Sequence, residues 1–285
     1  MSDNRAKHWR ASGKKVLLFG MSGLGKTHVS NLLRSAGGWF HYSVDYRIGT
    51  RYLGELIADN FKREAMRVPF LRELLLTDSV YIASNITFDN LAPLSTYLGK
   101  PGDPAKGGLP FADYCHRQAQ HRAAEIAALL DTPHFIARAH DIYRYDNFVC
   151  DSGGSICEVV NPDDANDPVL KALSDNLLLV WIKGTEANTA DLVRRFDRAP
   201  KPMYYQPAFL AAIWERYLAE NHLTEATVDP DAFARWGYAQ ILAHRQPLYE
   251  AMACNWGVTI HAADVAKIRD AEGFDALIAQ ALETR

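Results

Sequence analysis

Residues 15–30 read KVLLFGMSGLGKTHVS, and the fold turns on how they are read. Val16 to Phe19 form a short apolar run of the kind that makes a buried parallel strand. Gly20, Met21, Ser22, Gly23, Leu24, Gly25, Lys26 and Thr27 then fit G-x-x-x-x-G-K-[ST] without a mismatch. Such a loop binds phosphate. Its glycines let successive N–H groups face inward as an anion nest, and the helix opening near Lys26 adds the positive end of its dipole. Lys26 is expected against the β- and γ-phosphates and the Thr27 hydroxyl on Mg²⁺, so ATP and Mg²⁺ are the expected cofactors. His28 to Arg34 continue as a helix that Gly37 and Gly38 can end. A chance glycine turn would not need that strand-loop-helix context. Gly20, Gly23, Leu24, Gly25, Lys26, Thr27 and His28 are therefore the expected nucleotide-binding residues.

The rest of the composition sets limits. The chain has 285 residues, 48% of them hydrophobic, enough to bury a sizeable core, and residues 1–285 are read as a single domain. A formal net charge of -3 gives no global footprint for nucleic acid or anionic membrane. Met1 to Lys15 is polar and basic without an apolar core, and reads as a short solvated arm rather than a signal peptide. Strongly apolar runs such as Leu177 to Ile182 are strand-sized and too short to span a bilayer, so a cytoplasmic protein is expected. Cys115, Cys150, Cys157 and Cys254 lack C-x-x-C spacing and read as reduced structural thiols.

Further along, Trp39 to Val44 is rich in aromatic and β-branched residues and reads as a second strand that delivers Asp45. Ligands of parallel sheets bind beyond the carboxyl ends of strands, so Asp45 can hold an acceptor hydroxyl or act as its base, or cap the helix from Tyr46 to Leu56. Leu56 to Leu76 has helical spacing, and Val80 to Ile86 begins a further element. Pro93 and the stretch LGKPGDPAKGGLP mark a long loop, read as a lid, a substrate-binding excursion or a surface connection. Ala112 to Leu130 reads as a helix, Phe135 to Ala139 and Asn147 to Cys150 as strands. NFVCD carries Asp151 to the place of a Mg²⁺-side acid, and Ser152 to Ser155 form a glycine turn with Gly153 and Gly154. LLLVWI, from Leu177 to Ile182, is the clearest buried strand. The helix after it, from Thr189 to Asp197 with an N-cap at Asn188 or Thr189, carries Arg194 and Arg195, with Arg198 and Lys201 beyond. These cations read as a mobile lid over phosphate or as a solvated face. Pro207 to Glu220 and Asp231 to Ala251 read as helices, Trp256 to His261 as the last strand and Gly273 to Glu283 as the closing helix.

This order of signals resembles shikimate kinase and its relatives among the small P-loop metabolite kinases. The resemblance rests on the P-loop, Asp45, the turn at Gly153 and Gly154, VWIKGTEANTADLVRRFDRAPKPM and AHRQPLYEAMACNWGVTIHA. It implies a P-loop NTPase fold, α/β with a parallel five-stranded sheet flanked by helices. It also implies a substrate lobe over about residues 54–140, a lid over about 184–204 and a helical insertion over about 204–240. By the same matching, Lys26, Asp45, Lys201 and Arg198 would be catalytic, and Arg194 and Arg195 would lie near the nucleotide. Gly153, Gly154, Arg245, Arg122 and Arg117 would meet the acceptor, and Thr27 with Asp151 would hold the metal. Ser43 stands where the family commonly has an acid, which Asp151 would supply instead, and Ser152 where it has a third glycine.

The implied activity is transfer of the ATP γ-phosphate to a hydroxyl of a small, anionic metabolite. Two other readings stand beside it. One is a nucleoside, nucleotide or RNA-end kinase in which Tyr204, Tyr205, Phe209, Trp214 or Trp236 stacks a base. The other is a regulatory ATPase switch whose long loop binds a protein partner.

Overall fold

The computed structural model describes Lys7, Trp9 and residues 13–284. Most of the arm expected over Met1 to Lys15 lies outside the described residues, although Trp9 is buried and meets Phe274 edge-on at 5.7 Å.

Among the described residues, five strands form one sheet: β1 (Lys15–Phe19), β2 (Trp39–Ser43), β3 (Asn147–Asp151), β4 (Leu178–Lys183) and β5 (Gly257–His261). Their order is β2-β3-β1-β4-β5, and every pairing is parallel. Val16 to Phe19 and Leu178 to Ile182 are buried throughout, as strands covered on both faces must be. Leu18 lies opposite Asp151 on one side and Val180 on the other, so the loop after β1 opens beside the carboxyl end of β3. This is an α/β fold of the P-loop NTPase type.

Helix α1 (Lys26–Ser35) follows the loop, and α2 (Val44–Arg47) follows β2 directly. Ser43 caps α2 by accepting the Tyr46 N–H at 3.3 Å, so Asp45 sits in the first turn and the capping role belongs to Ser43. A π-helical turn over Ile48–Tyr52 leads to α3 (Gly54–Ala65) and α4 (Pro69–Leu76). The single helical run expected from Leu56 to Leu76 is thus two helices. Val68, extended because a proline follows, divides them.

Val80 to Ile86 forms no regular element. It runs irregularly, anchored by Ile86, whose side chain fills the space beside Gly49. Pro93 belongs to the first turn of α5 (Ala92–Leu98), so the long loop begins at Gly99. That loop is pinned to the rest of the chain: Asp103 N–H donates to Val228 O at 2.8 Å, and Lys100 pairs with Asp231. Helix α6 (Phe111–Leu130) precedes α7 (Thr132–Tyr143). Phe135 to Ala139, read as a strand, lies within α7. An apolar run of five cannot distinguish the two, and Pro133 in the first turn starts a helix whose Phe135 packs on Tyr42 at 4.9 Å.

Beyond β3 come α8 (Ile156–Val159), α9 (Pro168–Ser174), and, after β4, α10 (Glu186–Arg198). Helix α10 starts earlier than expected because Thr185 and Asn188 form a capping box. Helices α11 (Pro207–Asn221), α12 (Pro230–Trp256), α13 (Ala262–Val265) and α14 (Ala271–Glu283) complete the chain. Helix α12 continues through Pro247, its far half held by buried Tyr249, Met252 and Ala253. Among the described residues no helix is long and apolar enough to cross a membrane.

Candidate active site

The loop after β1 turns on Gly20, Gly23 and Gly25, with φ of 130°, 84° and 107°. A Cβ on Gly20 would stand 2.8 Å from Ile182 O, so glycine is required there by space as well as by conformation. Lys26, the first residue of α1, is buried and donates to Gly20 O at 2.7 Å and Met21 O at 3.0 Å. Burial lowers its pKa, against the opposing pull of Asp151 and Asp45. Leu24 faces away from the loop interior, toward Gly184 and Asn188.

A cavity of about 320 Å³ opens beside this loop. Gly23, Gly25, Lys26, Thr27 and His28 line one side, and Asp151, Gly153, Gly154 and Asp45 the other. Thr27 Oγ1 donates to Asp151 Oδ2 at 3.0 Å, which places two hard oxygen donors side by side at the loop mouth. Asp45 is half-buried in the cavity wall. Burial and then the Asp151 charge push its carboxyl up to about 6, while Lys26 opposes the shift. Burial raises Asp151 also, with Lys26 and the Thr27 hydroxyl pulling back.

The glycine turn is fixed from both ends. Ser152 Oγ donates to Leu18 O at 2.8 Å, which is what the serine in place of a third glycine does here. Tyr249 OH donates to Gly154 O. A Cβ on Gly153 would lie 2.7 Å from Asp45 Oδ1, so this glycine leaves room for the carboxylate.

Arg245 stands behind the turn. It is buried, and its Nε and Nη2 donate to Glu158 Oε2 at 3.1 and 2.7 Å, with Nη2 also reaching Tyr204 O at 2.9 Å. Its Nη1 points toward Gly154, at 3.4 Å from where a Cβ would be. Beside it the Ser155 hydroxyl lies 2.9 and 2.7 Å from the two oxygens of fully buried Glu125. The guanidinium charge is therefore met inside the protein.

The other expected cations are elsewhere. Arg117 donates to Tyr97 O and to Asn60 Oδ1, tying α3, α5 and α6 together. Arg122 lines a separate cavity with Glu158 and His244. Arg194 pairs with Asp191 on the exposed face of α10, and Arg195 and Arg198 are exposed. None of these five lines the phosphate-loop cavity. Helix α10 instead packs down, Phe196 stacking on Tyr238 at 3.9 Å and Leu192 meeting Gly23. Lys201 lines a neighbouring cavity of about 670 Å³.

Five lining residues escaped the sequence reading: Asn31, His41, Phe88, Asp89 and Leu91. His41 faces inward by alternation with Phe40 along β2, a signal present in WFHYSV. Phe88 and Asp89 arrive on the irregular stretch before α5. Phe88 stacks on Tyr46 at 4.7 Å and on His41 at 5.0 Å, closing the cavity opposite the glycine turn.

No known family profile matches the sequence, and no curated protein matches it. Among solved structures there is a likeness to a shikimate kinase from Bacteroides thetaiotaomicron. It is 14% identical, with a TM-score of 0.37, covering 94% of this chain and 96% of that one. The fold assignment rests on the strand order and the phosphate loop rather than on this likeness.

Proposed function

We propose that the protein is an ATP-dependent phosphotransferase acting on a hydroxyl of a small molecule. The observation that carries this reading is the placement of Asp45, half-buried and with its carboxyl raised to about 6, in the same cavity as Lys26 and Thr27. A carboxylate so placed can hold an acceptor hydroxyl and take its proton as the oxygen attacks the γ-phosphorus. The new O–P bond forms, the bond to the bridging oxygen breaks, and ADP leaves with that electron pair. Lys26 and the loop N–H groups would hold the phosphates, and Thr27 with Asp151 offers oxygen donors that fit Mg²⁺. When bound, that ion would supply neutralising charge on the phosphate oxygens. The side chains mainly position and neutralise, as a loose, in-line transfer requires.

The base-stacking reading has less support: Tyr204, Tyr205 and Trp214 are core residues, Trp236 packs on Tyr217 at 5.1 Å, and Phe209 stacks on His244 at 3.9 Å beside a separate cavity. The decisive experiment is transfer from γ-labelled ATP with Mg²⁺ into a pool of hydroxylated compounds, with Lys26→Ala as control. Labelled product that disappears in the folded variant supports the kinase, since loss of the lysine should cost on the order of several kcal/mol in the transition state. Label found only as free phosphate would move the protein to the class of regulatory ATPases.

A further inference from the structure

The acceptor side of the cavity has a charge pattern of its own. Lys26 is turned onto the phosphate loop and Arg245 onto Glu158, which leaves no arginine or second lysine among the lining residues. Three carboxylates line the same space: Asp45, Asp151 and Asp89. Asp151 is bonded to Thr27, and Asp45 faces the glycine turn. Asp89 makes no ion pair among the described residues. With the triphosphate of ATP in the loop, an anionic acceptor would enter a field of like charge.

Two further observations show that this wall is built for a ligand. The His41 side chain is 3% exposed, lines the cavity, and has both ring nitrogens without a hydrogen-bond partner. Burying an imidazole so is costly unless something in the cavity bonds to it. Next to it, Phe88 is 37% exposed, its ring held by Tyr46 and His41. Stacked so, Phe88 shapes the cavity wall beside Asp89.

We propose, building on the phosphotransferase reading, that the acceptor is a hydroxylated amine: a small alcohol or sugar whose ammonium group is received by Asp89 while its hydroxyl faces Asp45. His41 bonds a second polar group of the same molecule. Lys201 and Lys100 lie outside this arrangement. Both line the neighbouring cavity, which shares Phe88, Asp89 and Leu91, and Lys100 is paired there with Asp231. The stretch over residues 88–91 lies between the two cavities, and Asp89 lines both.

The test uses the full chain with Mg²⁺-ATP and two matched acceptor series: glucosamine, glucose and glucuronate, then ethanolamine, ethylene glycol and glycolate. The expected result is Lys26-dependent transfer with kcat/KM at least tenfold higher for the amine than for the carboxylate. In Asp89→Asn the amine-to-neutral ratio of kcat/KM should fall toward one, and Asp89→Glu should restore it. A ratio that Asp89→Asn leaves intact would overturn the assignment, because a merely structural role for Asp89 would scale all acceptors alike. Lys26-dependent transfer favouring carboxylates or neutral alcohols would leave the kinase standing and remove the amine. If no acceptor takes Lys26-dependent label, both readings fall together.

Discussion

The Thr27 hydroxyl donates to Asp151 Oδ2 at 3.0 Å across 124 residues of chain. The contact joins the end of the phosphate loop to the end of β3, and it exists because β1 and β3 are neighbours in the sheet. Removing the acid while keeping its shape tests what the pair does. Asp151→Asn should keep the fold and weaken the Mg²⁺ dependence of ATP binding by ~10–100-fold. Titration of Mg²⁺ into the ATP-loaded variant would show it; an unchanged midpoint would take Asp151 out of the metal site.

On the proposed mechanism, Asp45 should set the acid limb of activity. A base must be ionised to accept a proton, and burial with Asp151 nearby pushes this carboxyl up to about 6. The value of kcat/KM should therefore fall tenfold per pH unit below about 6 and level off above it. Asp45→Asn should lose ~10²-fold in rate and the limb with it. A limb that survives in Asp45→Asn would assign the titration to another group.

Arg245 and Glu158 form a buried pair. Arg245→Met strands the Glu158 charge and should cost about 3–5 kcal/mol in urea unfolding. Arg245→Met combined with Glu158→Leu should be less damaging than the single change, because no unpaired charge remains. Equal losses would mean that packing, rather than charge, holds this region.

Glu125 gives a stability effect of opposite sign to the usual carboxylate. Burial pushes its pKa up to about 8 from 4.5, so the folded protein holds a proton that the unfolded chain releases. This contribution is complete below about 4.5 and is lost as pH rises toward 8. Glu125→Gln keeps an acceptor for Ser155 without the ionisation. It should gain on the parent between pH 5 and 9 by on the order of 1–3 kcal/mol. A difference that does not change with pH would place the Glu125 pKa near that of an ordinary carboxylate.

The sheet and the phosphate end of the site were legible because their signals are local. KVLLF, GMSGLGKT, NFVCD and LLLVWI each state strand or loop within a few residues, and parallel pairing brings Lys26, Thr27 and Asp151 together. Asp45, Gly153 and Gly154 also reach the cavity to which the sequence assigned them. The acceptor side was not legible. Asp89 comes from a stretch without periodicity, and its position depends on Phe88 stacking on Tyr46. The arginine partners were not legible for a similar reason. A sequence shows that a cation is present, but not that Glu158 pairs with Arg245 or Asp191 with Arg194.

The sheet order also has a consequence for biosynthesis. The first strand made, β1, occupies the centre, and its neighbours are β3 and β4. Ser152, whose hydroxyl bonds Leu18 O, is translated 134 residues later. At ribosomal speeds of about 5–20 residues per second, the apolar run of β1 waits roughly 7–27 s for its first partner. The phosphate loop therefore takes shape late on the growing chain, and nucleotide can steady the nascent protein only after β3 has emerged.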